Sequence, residues 1–237
     1  MPREKLVVVA GAPGAGKTAW IVQQLQQYEA PRQTPAHRPL YCALGGADIP
    51  LDAVFLGAQS LGVEVLPKAD LSRVAIALQA GRPVFLEIHG TIELDSLDLH
   101  SQLLAHWEAG SEKPLLERVA IVPEGWRCDD LESWSDRRFP SPIAFPPPPS
   151  SPAPQQIWSL DLTGQVFDPP SLDLLWQELT GGAYGQVQRA KGIFCLADGS
   201  GFFFSFVPAP PGQPPHKPTA NWPLSPSPRG DRTIPVA

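Results

Sequence analysis

The chain has 237 residues, of which 43% are hydrophobic, 18% are charged and 30 are prolines, and its formal net charge is -6. That length suits one ordinary domain, or one domain with a small partner. Twenty of the prolines follow Phe139, so the preceding part has an ordinary composition, which excludes a fibrous protein and a bundle of long helices. The acidic balance argues against a nucleic-acid partner, because binding the phosphate backbone requires clustered Lys and Arg.

We expect no membrane partner, because the sequence lacks a run of about 18 apolar residues. The apolar residues 6–10 resemble part of a signal peptide, but they are few and run directly into a glycine-rich motif, which favours a strand. Cys42, Cys128 and Cys195 are isolated in the sequence, without the spacing of a metal site. These features predict a cytoplasmic protein.

Residues 1–139 alternate between strand and helix patterns and are predicted to form the first domain. Lys5–Ala10 is a short apolar run of the kind that a buried parallel strand needs. Further strands are predicted at residues 39–43, 63–66, 83–88 and 119–122, and helices at residues 18–28, 50–61 and 71–78. The alternation predicts an α/β fold in which helices cover both faces of a mostly parallel sheet.

Proline-rich segments enclose a second predicted unit. Residues 140–155 are predicted to be a semi-rigid linker, and residues 208–237 a disordered tail. Between them, residues 156–207 are predicted to form a small α+β domain with strands at 157–162, 187–196 and 202–207 and a helix at 172–179. Polar and apolar residues alternate from position 187 to 195, which predicts an antiparallel sheet with one open face.

The sequence Gly-Ala-Pro-Gly-Ala-Gly-Lys-Thr at positions 11–18 matches the complete P-loop (Walker A) pattern, between a predicted strand and a predicted helix. Its glycines let backbone N–H groups surround a phosphate, and the positive end of the helix adds to their field. Lys17 would reach the β- and γ-phosphates as a catalytic residue, and the Thr18 hydroxyl would ligate Mg²⁺. The alternative is a glycine-rich turn that binds nothing. The predicted nucleotide-binding residues are Gly11, Gly14, Ala15, Gly16, Lys17, Thr18 and Ala19.

Glu87 is the second candidate catalytic residue. It lies near the end of the apolar strand predicted at 83–88, where a carboxylate beside the P-loop strand would serve Mg²⁺ through a water molecule. The alternative is a glutamate at the end of a strand that faces solvent. Gly90, three residues later, would let the following loop approach the γ-phosphate.

These motifs and a later stretch resemble the CobW-like GTPases, some of which act as metal chaperones. The likeness rests on the P-loop, on Glu87-Ile-His-Gly90, and on the segment from Gly185 to Gly192, which contains Arg189-Ala190-Lys191-Gly192. The resemblance implies a P-loop NTPase sheet followed by a CobW C-terminal-like domain. It also implies a Mg²⁺ site at Thr18 and Glu87 and a switch at Gly90.

The chain departs from this family at three places. Pro67-Lys68-Ala69-Asp70 stands where the family has its Cys-x-Cys-Cys metal loop, so a Zn²⁺ site is not expected. Ala43-Leu44-Gly45-Gly46 lacks the family's acidic residue, for which Asp48 and Asp52 are weak substitutes. Arg138-Phe139-Pro140-Ser141-Pro142 replaces the Asn-Lys-x-Asp segment that reads guanine, so GTP and ATP both stay open as the ligand.

Other polar residues give weaker signals. His100 and His106 fall in one predicted helical segment, but their spacing of six does not place them on one face, so with His89 they are interpreted as surface or capping residues. Arg189 and Lys191 alternate onto one strand face, where either anion binding or simple solvation explains them.

The favoured function is therefore a slow Mg²⁺-dependent NTPase switch that serves a client protein. A non-catalytic regulatory or scaffold protein on the same architecture is the alternative, and a small-molecule kinase ranks last.

Overall fold

The computed structural model describes residues 5–28, 38–45, 51–58, 61–66, 68–89, 94, 97–107, 113–142, 159–162, 164–187 and 189–208. Most of the predicted linker and all but one residue of the predicted tail lie outside these ranges. The chain divides into two compact units, Met1–Ile143 and Ala144–Ala237. No helix in the described part is long and apolar enough to cross a membrane.

The first unit contains a six-stranded sheet in the order β3-β2-β4-β1-β5-β6. All five neighbouring pairs are parallel. Strands β1 to β5 overlap the predicted strands, and β6 has no counterpart among them. The strands are β1 (Lys5–Ala10), β2 (Leu40–Leu44), β3 (Glu64–Leu66), β4 (Val84–Ile88), β5 (Leu115–Val122) and β6 (Arg137–Pro140).

Helices cover both faces of this sheet, which confirms the α/β prediction. The first two helices pack on the face that carries Val7 and Val9, and the other three pack on the face that carries Leu6 and Val8. Successive residues of β1 are apolar because both faces of this strand are buried. The helices are α1 (Lys17–Gln27), α2 (Leu51–Ala58), α3 (Leu71–Gln79), α4 (Leu99–Leu104) and α5 (Asp129–Trp134).

Two features of this unit differ from the sequence expectations. Helix α4 contains His100 but ends at Leu104, so His106 lies beyond it and the shared helical segment is wrong. Helix α5 and strand β6 are not predicted at all. Helix α5 is a six-residue element, too short for a helical period to emerge from its sequence.

The second unit packs helix α6 (Pro169–Thr180) on a sheet of three strands, β7 (Val166–Phe167), β8 (Ala190–Leu196) and β9 (Gly201–Phe206). Strands β8 and β9 are antiparallel, but β7 pairs with β8 in parallel, so the sheet is mixed rather than antiparallel.

The strand predicted at residues 157–162 is wrong for the part that the structure describes. Residues 159–162 lie outside any strand, and residues 157–158 lie outside the described ranges. Helix α6 agrees with its prediction and is longer at both ends. At its N-terminus, the Asp168 side chain caps the helix by accepting a hydrogen bond from the Ser171 N–H.

Candidate functional site

The glycine-rich loop connects the carboxyl end of β1 to the start of α1. Gly14 and Gly16 have φ angles of 83° and 89°, in the left-handed region that glycine adopts without steric cost. A Cβ on Gly11 would lie 2.5 Å from the carbonyl oxygen of Ile121 on β5, so no side chain fits there. The loop therefore depends on glycine for its close approach to the neighbouring strand as well as for its turns.

Lys17 folds back over this loop. Its ammonium donates hydrogen bonds to the carbonyl oxygens of Gly11 and Ala12, at 3.0 Å and 3.2 Å. The side chain is only 6% exposed. The positive charge of Lys17 is thus held at the centre of the loop.

Thr18 and Glu87 meet beside the loop. Strand β4 lies next to β1 with Val9 opposite Glu87, which brings Glu87 to the carboxyl edge of the sheet where the loop begins. The Thr18 hydroxyl lies 3.2 Å from Oε1 and 3.1 Å from Oε2 of Glu87. Glu87 is 6% exposed, so the interpretation of this residue as a solvent-facing glutamate is wrong.

Tyr41 is a further member of the site that the sequence analysis missed. Its hydroxyl donates a hydrogen bond to Oε2 of Glu87 at 3.0 Å. Burial, together with the negative charges of Glu87 and Asp52, raises the pKa of Tyr41 well above its usual value, so the residue stays a neutral donor. The residue type is the signal in the sequence that points to this contact, because a buried tyrosine hydroxyl normally has a hydrogen-bond partner.

Three polar residues in the described ranges are buried as whole residues, when tyrosine and cysteine are counted with the hydrophobic residues, and all three lie at this site. They are Lys17, Thr18 and Glu87. Burying a charged group costs several kcal/mol unless it is paired and hydrogen-bonded, on the order of the whole stability of a domain. Lys17 and Glu87 are hydrogen-bonded within the chain, which offsets part of this cost, and their burial at one edge of the sheet makes that edge the candidate functional site.

The oxygen atoms of Thr18 and Glu87 fit Mg²⁺. This ion prefers oxygen ligands in an octahedron of radius 2.0–2.1 Å, in which adjacent ligands lie about 3 Å apart. The separation between the Thr18 hydroxyl and Oε2 of Glu87 is 3.1 Å. The two side chains therefore form a suitable donor pair for this metal.

Within the described ranges, no group of three or more His, Cys, Asp or Glu side chains is placed to hold a metal ion. Burial raises the pKa of the Cys42 thiol to about 12, so the thiolate form that binds zinc is disfavoured. In the segment after β3, Asp70 is engaged in capping α3 through the N–H groups of Ser72 and Arg73.

The position expected for a guanine-reading loop contains packing and surface contacts. The ring of Phe139 on β6 packs 5.1 Å from the ring of Trp20 on α1. Arg138 forms a 2.8 Å ion pair with Glu132. These contacts identify no group that distinguishes GTP from ATP.

The remaining candidates make none of the hydrogen bonds described above or fall outside the described residues. Gly90 and Asp48 fall outside. Ala19 lies in the first turn of α1. The Arg189 guanidinium donates to the carbonyl oxygen of Phe206 and to the Ser205 hydroxyl, so it links the start of β8 to the end of β9.

Comparisons of the chain with family models, with curated proteins and with solved structures found no match. The functional argument therefore rests on the contacts at the carboxyl edge of the six-stranded sheet.

Proposed function

We propose that the chain binds a nucleoside triphosphate with Mg²⁺ and acts as a slow NTPase switch of the CobW-like kind, serving a client protein. One observation carries the proposal: the buried polar side chains of the described residues, Lys17, Thr18 and Glu87, converge at one P-loop. A glycine-rich turn that binds nothing has no need of a buried ammonium and a buried carboxylate at the same edge of the sheet.

The loop and the start of α1 would hold the phosphates. Gly16 occupies the N-cap position and makes no side-chain capping bond. Backbone N–H groups at a helix N-terminus attract anions, and the aligned peptide dipoles add a favourable field. Lys17 would exchange the carbonyl oxygens of Gly11 and Ala12 for phosphate oxygens, which are stronger partners for an ammonium because they carry charge.

Thr18 and Glu87 would hold Mg²⁺ at the phosphates. The bound metal would neutralise the charge that develops on the transferred phosphoryl group. Glu87 lies between the P-loop strand and β2, which fixes its carboxylate at the edge where the triphosphate would bind. The proposal names the triphosphate and the metal, and it leaves the base as either guanine or adenine.

A non-catalytic scaffold is the second candidate. This candidate is favoured because the polar groups of Lys17 and Glu87 already have hydrogen-bond partners within the chain. In this case the loop would support the fold or bind nucleotide without turnover. The two candidates differ in whether purified protein releases phosphate in a Mg²⁺-dependent manner.

Calorimetric titration with ATP and GTP, each with Mg²⁺ or with a chelator, tests the proposal. We expect Mg²⁺-dependent binding of at least one nucleotide by the unmodified protein. Lys17→Ala should weaken this binding by about tenfold or more, the effect of losing a hydrogen bond to a charged group. Lys68→Ala is the matched control, since Lys68 is an exposed lysine after β3 and should leave the affinity unchanged.

Phosphate release separates the two candidates. For a switch, Glu87→Gln should lower turnover more than it lowers nucleotide affinity, because the carboxylate charge acts on the metal during the reaction. Equal turnover in Glu87→Gln and the unmodified protein would contradict the role of Glu87. Nucleotide binding without release above background would favour the scaffold. Equal affinity in Lys17→Ala and the unmodified protein would contradict nucleotide binding at this loop and would leave the scaffold only as a support of the fold.

A further inference from the structure

We propose that Tyr41 is a positioning residue for the magnesium site: its hydroxyl holds one oxygen of Glu87 so that the carboxylate keeps its orientation beside Thr18 and the metal. This inference rests on the proposed function of the same site. It assigns a role to a strand residue that belongs to neither of the site's two motifs.

The register of the sheet places Tyr41 on the correct face. Strand β2 pairs with β4, with Ala43 opposite Glu87 and Tyr41 opposite Phe85. Tyr41 therefore lies two residues before the partner of Glu87, on the same side of the sheet. Its long side chain spans that offset, and its oxygen reaches Oε2 at 3.0 Å.

The burial of Tyr41 makes its hydroxyl a fixed donor. The residue is 0% exposed, and its ring packs in the core between the sheet and the first two helices. A closely packed ring has little freedom to move, so the oxygen occupies a fixed place beside Glu87.

Two hydroxyl groups donate hydrogen bonds to the Glu87 carboxylate, those of Thr18 and Tyr41. Thr18 now donates to the carboxylate, at 3.1 Å and 3.2 Å. The oxygen of a threonine hydroxyl has lone pairs that can ligate Mg²⁺ while its O–H still donates to a carboxylate, so Thr18 can serve the metal and Glu87 together. The Tyr41 bond to Oε2 involves no metal ligand other than Glu87, so it can orient this carboxylate in the way that partners of metal ligands fix ligand orientation elsewhere.

Tyr41→Phe tests the inference because it removes one oxygen and keeps the ring. We expect the Mg²⁺ concentration for half-maximal nucleotide binding to rise about tenfold, the usual effect of losing a residue that orients a metal ligand. Nucleotide affinity in chelator should stay unchanged. In a Glu87→Gln background, adding Tyr41→Phe should have no further effect on the Mg²⁺ requirement.

A matched control exists in the second unit. The Tyr184 hydroxyl donates to Oε2 of Glu178 at 2.5 Å on an exposed surface. Tyr184→Phe therefore removes the same kind of hydrogen bond away from the site and should leave the Mg²⁺ requirement unchanged.

A second measurement keeps the test decisive if Tyr41→Phe folds poorly. The chain contains three tyrosines, so 3-fluorotyrosine labelling gives three fluorine positions for NMR. Tyr28→Phe and Tyr184→Phe assign the Tyr41 signal by elimination. Adding Mg²⁺ to the nucleotide-bound protein should shift that signal more than the other two.

The outcomes separate the inference from the function on which it rests. If the unmodified protein binds nucleotide more tightly with Mg²⁺ but Tyr41→Phe has the same Mg²⁺ requirement, the positioning role is overturned alone. An equal loss of affinity with and without Mg²⁺ also overturns it, because that result indicates a structural role. If the unmodified protein shows no Mg²⁺-dependent binding, the proposed function and the inference are both overturned.

Discussion

The two sheets of this protein differ in how their faces are packed. The six-stranded sheet is covered on both faces, and β1 and β4 are buried along almost their whole length. Among the described residues of the second unit, α6 covers one face of the three-stranded sheet, and the strands alternate between buried and more exposed residues. A sheet covered on both sides needs apolar residues at successive positions, whereas a sheet covered on one side needs them at every second position.

This difference makes the position of the polar residues informative. In the first unit, Lys17, Thr18 and Glu87 are buried at the carboxyl edge of an otherwise apolar sheet. In the second unit, the described core consists of apolar residues, with Trp176 stacked on Phe204. The first core thus supports both the fold and a candidate reaction site, and the second core supports the fold.

Among the substitutions that test this difference, Gly11→Ala is expected to have the largest effect. The added Cβ would lie 2.5 Å from a backbone oxygen of β5, which cannot rotate away as a side chain would. We expect a loss of stability of about 3 kcal/mol, the upper part of the range for overpacking, together with loss of nucleotide binding. Urea unfolding and calorimetry measure the two effects.

Gly57→Ala is the control for this substitution. Gly57 lies in α2, and a Cβ there meets no atom within 4 Å. Replacing glycine by alanine in a compatible helical position should raise stability by about 0.5 kcal/mol. Equal effects of the two substitutions would contradict the special requirement for glycine in the loop.

In the second unit, Gly192→Ala is expected to cause a smaller loss of stability. The new Cβ would collide with the ring of Phe194, with the ring Cζ at 2.7 Å. This ring packs against Trp176 at a centroid distance of 5.2 Å, so its displacement should cost about 2 kcal/mol.

Hydrogen exchange followed by mass spectrometry can localise that effect. We expect Gly192→Ala to reduce protection in β8 and β9 and to leave β1 and β4 unchanged. Equal loss of protection in both sheets would show that the two cores do not respond separately.

The smallest effect is expected at the surface pair that joins β5 to β6. Arg118 donates hydrogen bonds to Asp136 from its side chain and from its backbone N–H, and this lowers the pKa of Asp136. Because both side chains are 41% exposed, solvent screens the pair. Asp136→Asn should therefore lower stability by about 0.5 kcal/mol at pH 7.

The pH dependence of this effect has a defined sign. A carboxyl whose pKa is lower in the folded state stabilises the fold above its unfolded pKa, near 3.8, and loses that contribution as the pH falls through the folded pKa. The difference between Asp136→Asn and the unmodified protein should shrink when urea unfolding is repeated at pH 3. A difference of the same size at both pH values would rule out the charge of Asp136 as its cause.

The sequence predicts the parts of the fold in which local pattern and burial coincide. Strands β1 and β4 are short apolar runs because both of their faces are buried. Strand β6 carries exposed Arg137 and Arg138 and ends in Pro140, so its composition is that of a loop. Strand β7 has two residues and depends on pairing with β8. Neighbouring strands define these two elements, and no local pattern reveals them.

The same limit applies to the candidate site. Lys17 and Thr18 belong to a contiguous motif and can be predicted from spacing. For Glu87, the sequence alone leaves burial and exposure equally open, and the choice depends on β4 lying beside β1. Tyr41 is separated from Glu87 by 46 positions, so their contact follows from strand order, which is a property of the assembled sheet.

The two outer strands of the large sheet also bear on self-association. An unpaired strand edge is a template for pairing with another chain, and natural proteins protect such edges with short strands, charges and proline. Strand β3 has three residues, and two arginines bind its Glu64. Strand β6 has four residues, including two arginines and Pro140. Edge-to-edge growth of this sheet is therefore disfavoured on both sides, even though its interior strands are strongly apolar.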